Sequence, residues 1–233
     1  MTADRDQLKR AAALRAIEEV EDGMVVGLGT GSTAAFVVEG LATRVAGGLR
    51  VVGIPTSERT AAQARRLGIP IATFAEHQRL DLTIDGADEV QLGTLNLIKG
   101  LGGALLHEKI VAAASDRLVI VVDQEKLVEQ LGEHTPIPVE VTQFGWQATA
   151  VALAKLGCVP ERRYAINEQP FVTDSGNFIL DCRFKPLTDP GLMEQQLAMT
   201  VGTVESGLFV GRVSIVVVAS ATGVEVLVPP VRR

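Results

Sequence analysis

The sequence predicts an α/β chain, a parallel sheet covered by helices on both faces and interrupted late by a smaller α+β unit. Three observations carry this. From the N-terminus to about Lys126, short apolar runs rich in β-branched residues alternate with helical patterns, which is how a covered parallel sheet reads. One of those runs, Met24-Val-Val-Gly-Leu-Gly29, passes directly into Thr30-Gly-Ser-Thr-Ala-Ala35 and a helix, the strand–glycine turn–helix unit of a Rossmann-like fold. After Gly132 the order becomes strand, helix, two strands, helix, strand, a small α+β unit of ferredoxin-like type.

Taken in order, the first element is an amphipathic helix from about Asp6 to Glu21, with Ala13, Ile17 and Val20 on one face and Gly23 closing it. The strand and glycine turn follow, with the next helix running to about Val45. Leu49 to Ile54 reads as a strand, Thr60 to Leu67 as a helix and Ile69 to Phe74 as a short strand. Leu82 to Ile84 is a buried strand that ends in carboxylates. A helix begins near Ala104 and buries Leu106, Ile110 and Ala113, and Val119 to Val122 is the next strand. In the later part, His134 to Val141 reads as a linker and strand, and Trp146 to Leu156 as a helix. Pro170 to Thr173 and Phe178 to Cys182 read as strands flanking the turn Asp174-Ser-Gly-Asn177. Leu192 to Met199 is a helix and Thr203 to Phe209 a strand. Val213 to Ala219 and Val224 to Val228 return as strands of the first sheet. The expected division is residues 1–131 with 208–233, and an inserted unit over 132–207.

Composition narrows the function. The chain has 233 residues, 47% of them hydrophobic, enough for a sizeable core in one large or two small domains. A net charge of −6 gives no basic footprint for nucleic acid or an anionic membrane, and 4% aromatics offer no stacking platform for single strands. Cys158 and Cys182 lack metal-type spacing and suit a reducing cytoplasm. Met1-Thr-Ala-Asp-Arg-Asp6 lacks the apolar region of a signal peptide, and no apolar run approaches the length of a membrane span. The expectation is a cytoplasmic protein with a small-molecule ligand.

The chemistry concentrates between Asp81 and Lys109. The strand Leu82 to Ile84 ends in Asp85-Gly-Ala-Asp-Glu89, three carboxylates in five residues at the carboxyl end of a strand, where open α/β sheets bind ligands. Lys99 follows, then Gly100, Gly102 and Gly103, then a helix carrying Glu108. The glycines let backbone approach a ligand, and the helix start offers N–H groups to an anion. Either piece alone fits a solvated acidic loop or a flexible turn; so close together, they favour an acid–base site. Gly29, Gly31 and Ala34 satisfy the loose G-x-G-x-x-G/A pattern. The strand after it, however, ends in Pro55-Thr-Ser-Glu58 rather than in an acid for a ribose, and no Gly-Lys-Ser/Thr is present. What remains is a cradle for a small phosphate or a sugar hydroxyl, with Ser32 and Thr33 able to donate. Magnesium is the rival use for Asp85 and Asp88, since it is often held by one or two carboxylates and a substrate phosphate. Lys99 makes a metal partly redundant, and His77, His107 and His134 share no metal spacing.

Gly27-Leu-Gly-Thr-Gly-Ser-Thr-Ala34, Pro55-Thr-Ser57, Asp85-Gly-Ala-Asp-Glu89, Lys99-Gly with Glu108-Lys109, and Asp123 with Lys126 together resemble ribose-5-phosphate isomerase type A. The likeness extends to Pro136-Ile-Pro-Val-Glu140, Val172-Thr-Asp174 and Gly207-Leu-Phe209, nearly the whole chain. It implies interconversion of ribose 5-phosphate and ribulose 5-phosphate in the non-oxidative pentose phosphate pathway, with no metal and no organic cofactor. It also implies a homodimer or dimer of dimers. Carried over by motif, Glu108 is the general base and Asp85, Asp88 and Lys99 join it at the reacting centre. Substrate contacts fall on Thr30, Gly31, Ser32, Thr33, Asp85, Gly86, Ala87, Asp88, Lys99, Gly100, Leu101, Gly102 and Lys126. Leu101 departs from the family pattern, which often has glycine there. Lys9 joins Ser32, Thr33 and Lys126 as a candidate for the phosphate.

Two other readings compete. A sugar-phosphate sensor would need a DNA-binding module of about 50 residues or more, and only 26 residues precede Gly27. Another phosphosugar enzyme, such as a deaminating isomerase, is separated by a substrate panel, because pocket contacts rather than fold set specificity.

Overall fold

The computed structural model describes residues 2–230, with side chains from residue 5 onward; Met1 and residues 231–233, assigned above to the division 1–131 with 208–233, lie outside the described residues. The chain divides into two compact units. One comprises residues 1–87, 107–126 and 212–233, the other residues 88–106 and 127–211.

In the first unit, helix α1 (Thr2–Ala16) continues as a 3₁₀ turn (Ile17–Glu19). It starts earlier than the expected Asp6. Strand β1 (Val25–Leu28), helix α2 (Ser32–Ala46), strand β2 (Val52–Pro55), helix α3 (Glu58–Arg66) and strand β3 (Leu82–Gly86) follow. The expected strand over 69–74 reduces to a single bridge between Ile71 and Gly53. Its next residues turn instead, with the Glu76 carboxylate accepting from the Thr73 N–H and hydroxyl at 3.0 and 3.1 Å.

The second unit begins with β4 (Glu89–Gln91) and β5 (Leu97–Ile98), two strands too short to carry a periodicity. Helix α4 (Leu105–Ala113) returns the chain to the first unit, and β6 (Leu118–Asp123) and a 3₁₀ turn (Gln124–Lys126) follow there. The rest of the second unit is β7 (Leu127–Val128), β8 (Ile137–Val141), α5 (Trp146–Ala154), β9 (Val159–Arg162), β10 (Phe178–Arg183), α6 (Pro190–Ala198), β11 (Thr203–Ser206) and β12 (Leu208–Phe209). Strands β13 (Ile215–Ser220) and β14 (Gly223–Leu227) complete the first unit.

The first unit's sheet has the order β14-β13-β6-β3-β1-β2. Its strands run parallel except β14, which closes the edge as an antiparallel hairpin with β13. Alternation sorts the side chains. Val26, Leu28, Leu82 and Ile84 join α1 and α2 in one apolar core, so Gly27, Thr83 and Asp85 face the other way. Helix α4 lies on that second face: a Cβ on Gly27 would meet Thr83 and, at 2.6 Å, Val111. After α4 the chain bonds to residue 80, before β3, through Leu80 N–H to the Ala114 carbonyl at 2.9 Å. The C-terminus of α4 is therefore at the amino edge of the sheet and its first turn at the carboxyl edge.

In the second unit, β8, α5, β9, β10, α6 and β11 follow the predicted strand–helix–strand–strand–helix–strand order, and the sheet runs β11-β8-β10-β9. This is the ferredoxin-like arrangement. The partner of β10 differs from expectation: β9 and β8 flank it, and residues 171–173 form no strand. The turn at 174–177 is nonetheless there, closed by Thr173 N–H to the Asn177 carbonyl at 2.9 Å. A small third sheet, β12-β5-β4-β7, splits the strand expected over 203–209, since β11 and β12 belong to different sheets. Among the described residues no helix is long and apolar enough to cross a membrane.

Candidate active site

The first unit gathers its candidate residues at the carboxyl edge of its sheet. The turn after β1 needs glycine twice. A Cβ on Gly29 would lie 2.1 Å from Asp85 Oδ1, and Gly31 has φ +121°, where side chains are strained. Gly31 caps α2 without any side-chain hydrogen bond. The N–H groups of Ser32 and Thr33 therefore open the helix toward solvent, a ready anion site. Asp85, buried at the end of β3, accepts from the Thr30 N–H at 3.0 Å and the Gly86 N–H at 2.8 Å, both on Oδ1. Gly86 faces Thr33, whose Cβ is 3.9 Å from where a Gly86 Cβ would be. Ala87 ends this stretch.

Glu108 is in the first turn of α4 and only 2% exposed. It is three residues before Val111, on the side of the helix that meets the sheet. Glu108 and Asp85 thus share the α4 face and the carboxyl edge. Lys126 closes the 3₁₀ turn after β6 and is half-buried. Just before it, the buried Asp123 accepts from the Glu125 N–H at 3.1 Å and fixes that turn. Lys9 lies on α1, its Nζ 3.7 Å from Asp6 Oδ1.

In the second unit, Asp88 and Lys99 flank the β4–β5 pairing. The Asp88 N–H donates to the Ile98 carbonyl at 2.8 Å, and the Lys99 N–H to the Gly207 carbonyl at 2.8 Å. Lys99 is 3% exposed, with Nζ 5.6 Å from the centre of the Phe209 ring, so the Gly207-Leu-Phe209 motif serves as its floor. Gly207 has no room for a side chain there, since a Cβ would be 2.1 Å from the Lys99 carbonyl. The glycine turn has positive φ at Gly100 and Gly103, +103° and +84°, but not at Leu101 or Gly102. Leu101 is thereby an ordinary residue for its conformation. Its side chain is exposed and its N–H donates to Asp88 Oδ2 at 2.9 Å.

Each unit brings together its own candidates: Thr30 to Thr33 with Asp85 and Gly86 in one, Asp88 with Leu101 in the other. The sequence reading did not foresee what three supporting groups do. Arg163 donates to the Gly100 and Leu101 carbonyls at 2.8 and 3.2 Å, and is itself held by Asp181 through Nε at 2.9 Å. Glu89, the third carboxylate of its motif, is buried and accepts from the N–H groups of Gly132, His134 and Thr135 at 2.6, 2.8 and 2.7 Å, so it anchors a loop. Thr56, Ser57 and Thr60 surround the hydroxyl of Thr30. Glu89 and the last group had a sequence signal, in the Asp85-Gly-Ala-Asp-Glu89 and Pro55-Thr-Ser57 motifs, and Arg163 had none.

Comparison with known proteins gives one consistent answer. The model of the family ribose 5-phosphate isomerase A (phosphoriboisomerase A) matches residues 52–223. Ribose-5-phosphate isomerase A of Gloeobacter violaceus is 65% identical over 226 residues, covering 97% of this chain and 98% of that protein. The solved ribose 5-phosphate isomerase A of Methanocaldococcus jannaschii is 40% identical with a TM-score of 0.92, covering 95% of this chain and 98% of that one. A D-ribose-5-phosphate isomerase solved in complex with phospho-erythronic acid is 38% identical with a TM-score of 0.93, covering 96% and 99%.

Proposed function

This chain belongs to the ribose 5-phosphate isomerase A family, and from that membership we infer that it interconverts D-ribose 5-phosphate and D-ribulose 5-phosphate. The observation that carries the mechanism is the placement of Glu108, a buried carboxylate on a helix at the carboxyl edge of the sheet. A helix holds its side chain in one place better than a loop does. In this reading Glu108 removes the proton from C2 of the open-chain aldose, giving an enediolate, and returns a proton to C1. Such general base catalysis contributes about 10²–10⁴-fold.

Asp85 has Oδ1 occupied by two backbone N–H groups, which fixes the carboxylate plane so that it orients a substrate hydroxyl and relays the proton between O2 and O1. Lys99, out of water, neutralises the charge that grows on the enediolate oxygen, and Asp88 orients a second hydroxyl. The phosphate takes the start of α2 through Thr30, Gly31, Ser32 and Thr33, with Lys126 and Lys9 as cations. Its binding energy serves the reacting centre. Gly86, Ala87, Gly100, Leu101 and Gly102 contribute backbone groups. A solved relative that holds phospho-erythronic acid, a phosphorylated four-carbon sugar acid, supports a phosphosugar ligand.

We place the enzyme in the cytoplasm, consistent with the free thiols of Cys158 and Cys182, and read it as a homodimer or dimer of dimers. Val151, Val159, Tyr164 and Val201 of the second unit are exposed apolar surface suited to such a contact. The test of function is direct: purified protein in EDTA converts ribose 5-phosphate to ribulose 5-phosphate. Loss of turnover on chelation, restored by Mg²⁺, would overturn the metal-free chemistry.

A further inference from the structure

The Pro55-Thr-Ser57 motif has no part in the chemistry above, yet its hydroxyls turn toward the glycine turn of the first unit. Thr56 Oγ1 is 2.7 Å from Thr30 Oγ1, Thr30 Oγ1 donates to Ser57 Oγ at 2.8 Å, Ser57 Oγ donates to Thr60 Oγ1 at 3.0 Å, and Thr60 Oγ1 donates to the Gly29 carbonyl at 3.0 Å. All four residues are buried. A hydroxyl donates a single hydrogen bond. The proton of Thr30 goes to Ser57 and that of Thr56 to the Leu28 carbonyl at 3.1 Å, so the ordered run of donors begins at Thr30. From Thr30 the hydrogen bonds run in one direction, through Ser57 and Thr60 at the start of α3 and back to the Gly29 carbonyl of the glycine turn.

Where the chain of hydroxyls ends decides what it does. The Gly29 carbonyl and the Thr30 N–H belong to one planar trans peptide and point in opposite directions. Thr60 holds the carbonyl from one side, and from the other the N–H reaches Asp85 Oδ1 at 3.0 Å. That peptide cannot turn without breaking both bonds. We infer that Thr60, at the end of the Thr30–Ser57 hydroxyl chain, is a positioning residue that fixes the Asp85 carboxylate through the Gly29–Thr30 peptide. This rests on the role of Asp85 proposed above. The plain alternative is that the hydroxyls only cap α3, since Ser57 Oγ also accepts from the Thr60 N–H at 3.2 Å.

Thr60→Val keeps the branched shape and removes the hydroxyl; Thr60→Ser keeps the hydroxyl. Steady-state kinetics across pH, with thermal midpoints, separate the two accounts. Positioning predicts that Thr60→Val loses about 5–20-fold in kcat with KM within twofold, and that Thr60→Ser restores kcat. It also predicts that the acid limb of kcat moves to higher pH in Thr60→Val, because Asp85 loses a hydrogen bond that favours its charged form. A Thr60→Val enzyme with a lowered midpoint but the wild-type kcat and pH profile overturns the inference. Should Thr60→Val not fold, Ser57→Ala breaks the chain one link earlier; a smaller kcat loss with the same pH shift supports the inference, and a wild-type profile overturns it. Asp85→Asn distinguishes the premise: normal turnover there removes Asp85 from the chemistry, and the inference with it, whereas an inactive Asp85→Asn beside a wild-type-like Thr60→Val removes the positioning role alone.

Discussion

Two glycine turns carry site candidates, one in each unit, and they are held by different forces. The turn at Gly29 to Thr33 rests on neutral hydroxyls and one carboxylate that accepts its backbone N–H. The turn at Gly100 to Gly103 is held by charge: Arg163 on its carbonyls, Asp88 on the Leu101 N–H, and Asp181 behind Arg163. Their glycines also differ in purpose. Gly31 is needed for conformation alone, with nothing within 4 Å of where its Cβ would be, whereas Gly103 is needed for conformation and for space, since a Cβ would be 2.3 Å from the Phe171 ring. A turn beside a buried lysine needs its carbonyls and acids balanced.

This contrast can be broken or sharpened by substitution. The largest effect belongs to Gly103→Ala, where backbone strain and the clash with Phe171 add to about 3–4 kcal/mol of destabilisation. Phe171→Leu in the same chain should recover part of it, as read by denaturant midpoints. Failure of the second change to help would mean that space is not the issue. Arg163→Ala comes next, at about 2–3 kcal/mol, below the range for a fully buried pair because Asp181 keeps some contact with water. Gly31→Ala should cost only about 1–2 kcal/mol, from backbone strain alone, with KM raised. Equal costs for Gly31→Ala and Gly103→Ala would erase the distinction between the turns.

The smallest effect lies outside both turns. Arg117, hydrogen-bonded at 2.7 Å, and then Arg15 hold the Glu19 carboxyl below its ordinary range against some opposing desolvation. A depressed folded-state pKa stabilises the fold above the unfolded value and stops doing so as pH falls through the folded one. Glu19→Gln should therefore cost about 0.5 kcal/mol at neutral pH, the two side chains being partly exposed, and nothing once the carboxyl is protonated. A cost that persisted in acid would assign Glu19 to packing instead.

The two turns also differ in how far they could be read from sequence. The Gly29 turn follows a clear apolar strand and opens a clear helix, so its place was legible. The same holds for β13 and β14, whose apolar alternation announced a return to the first sheet. The Gly100 turn was visible as glycines beside a lysine, but what holds it was not. Arg163 lies sixty-three residues beyond Gly100, and no local pattern records that separation. Strands β4, β5, β7 and β12 are two or three residues long, below any periodicity. Residues 69–74 show the reverse error. They read as a strand; Pro70 and Ala72 do bond Gly53 of β2, but at Thr73 the N–H turns to the Glu76 carboxylate and the pairing stops. Leu101 looked like a departure from a glycine pattern and is none in conformation, because the positive φ values fall at Gly100 and Gly103.

The proposed function rests on one carboxylate that carries a proton between adjacent carbons, and one experiment addresses that most directly. Glu108→Gln keeps the size and the helix while removing the base. With ribose 5-phosphate as substrate, its kcat should fall by about 10²–10⁴-fold, while a phosphorylated four-carbon sugar acid still binds. A kcat near that of the wild type would mean that another group moves the proton.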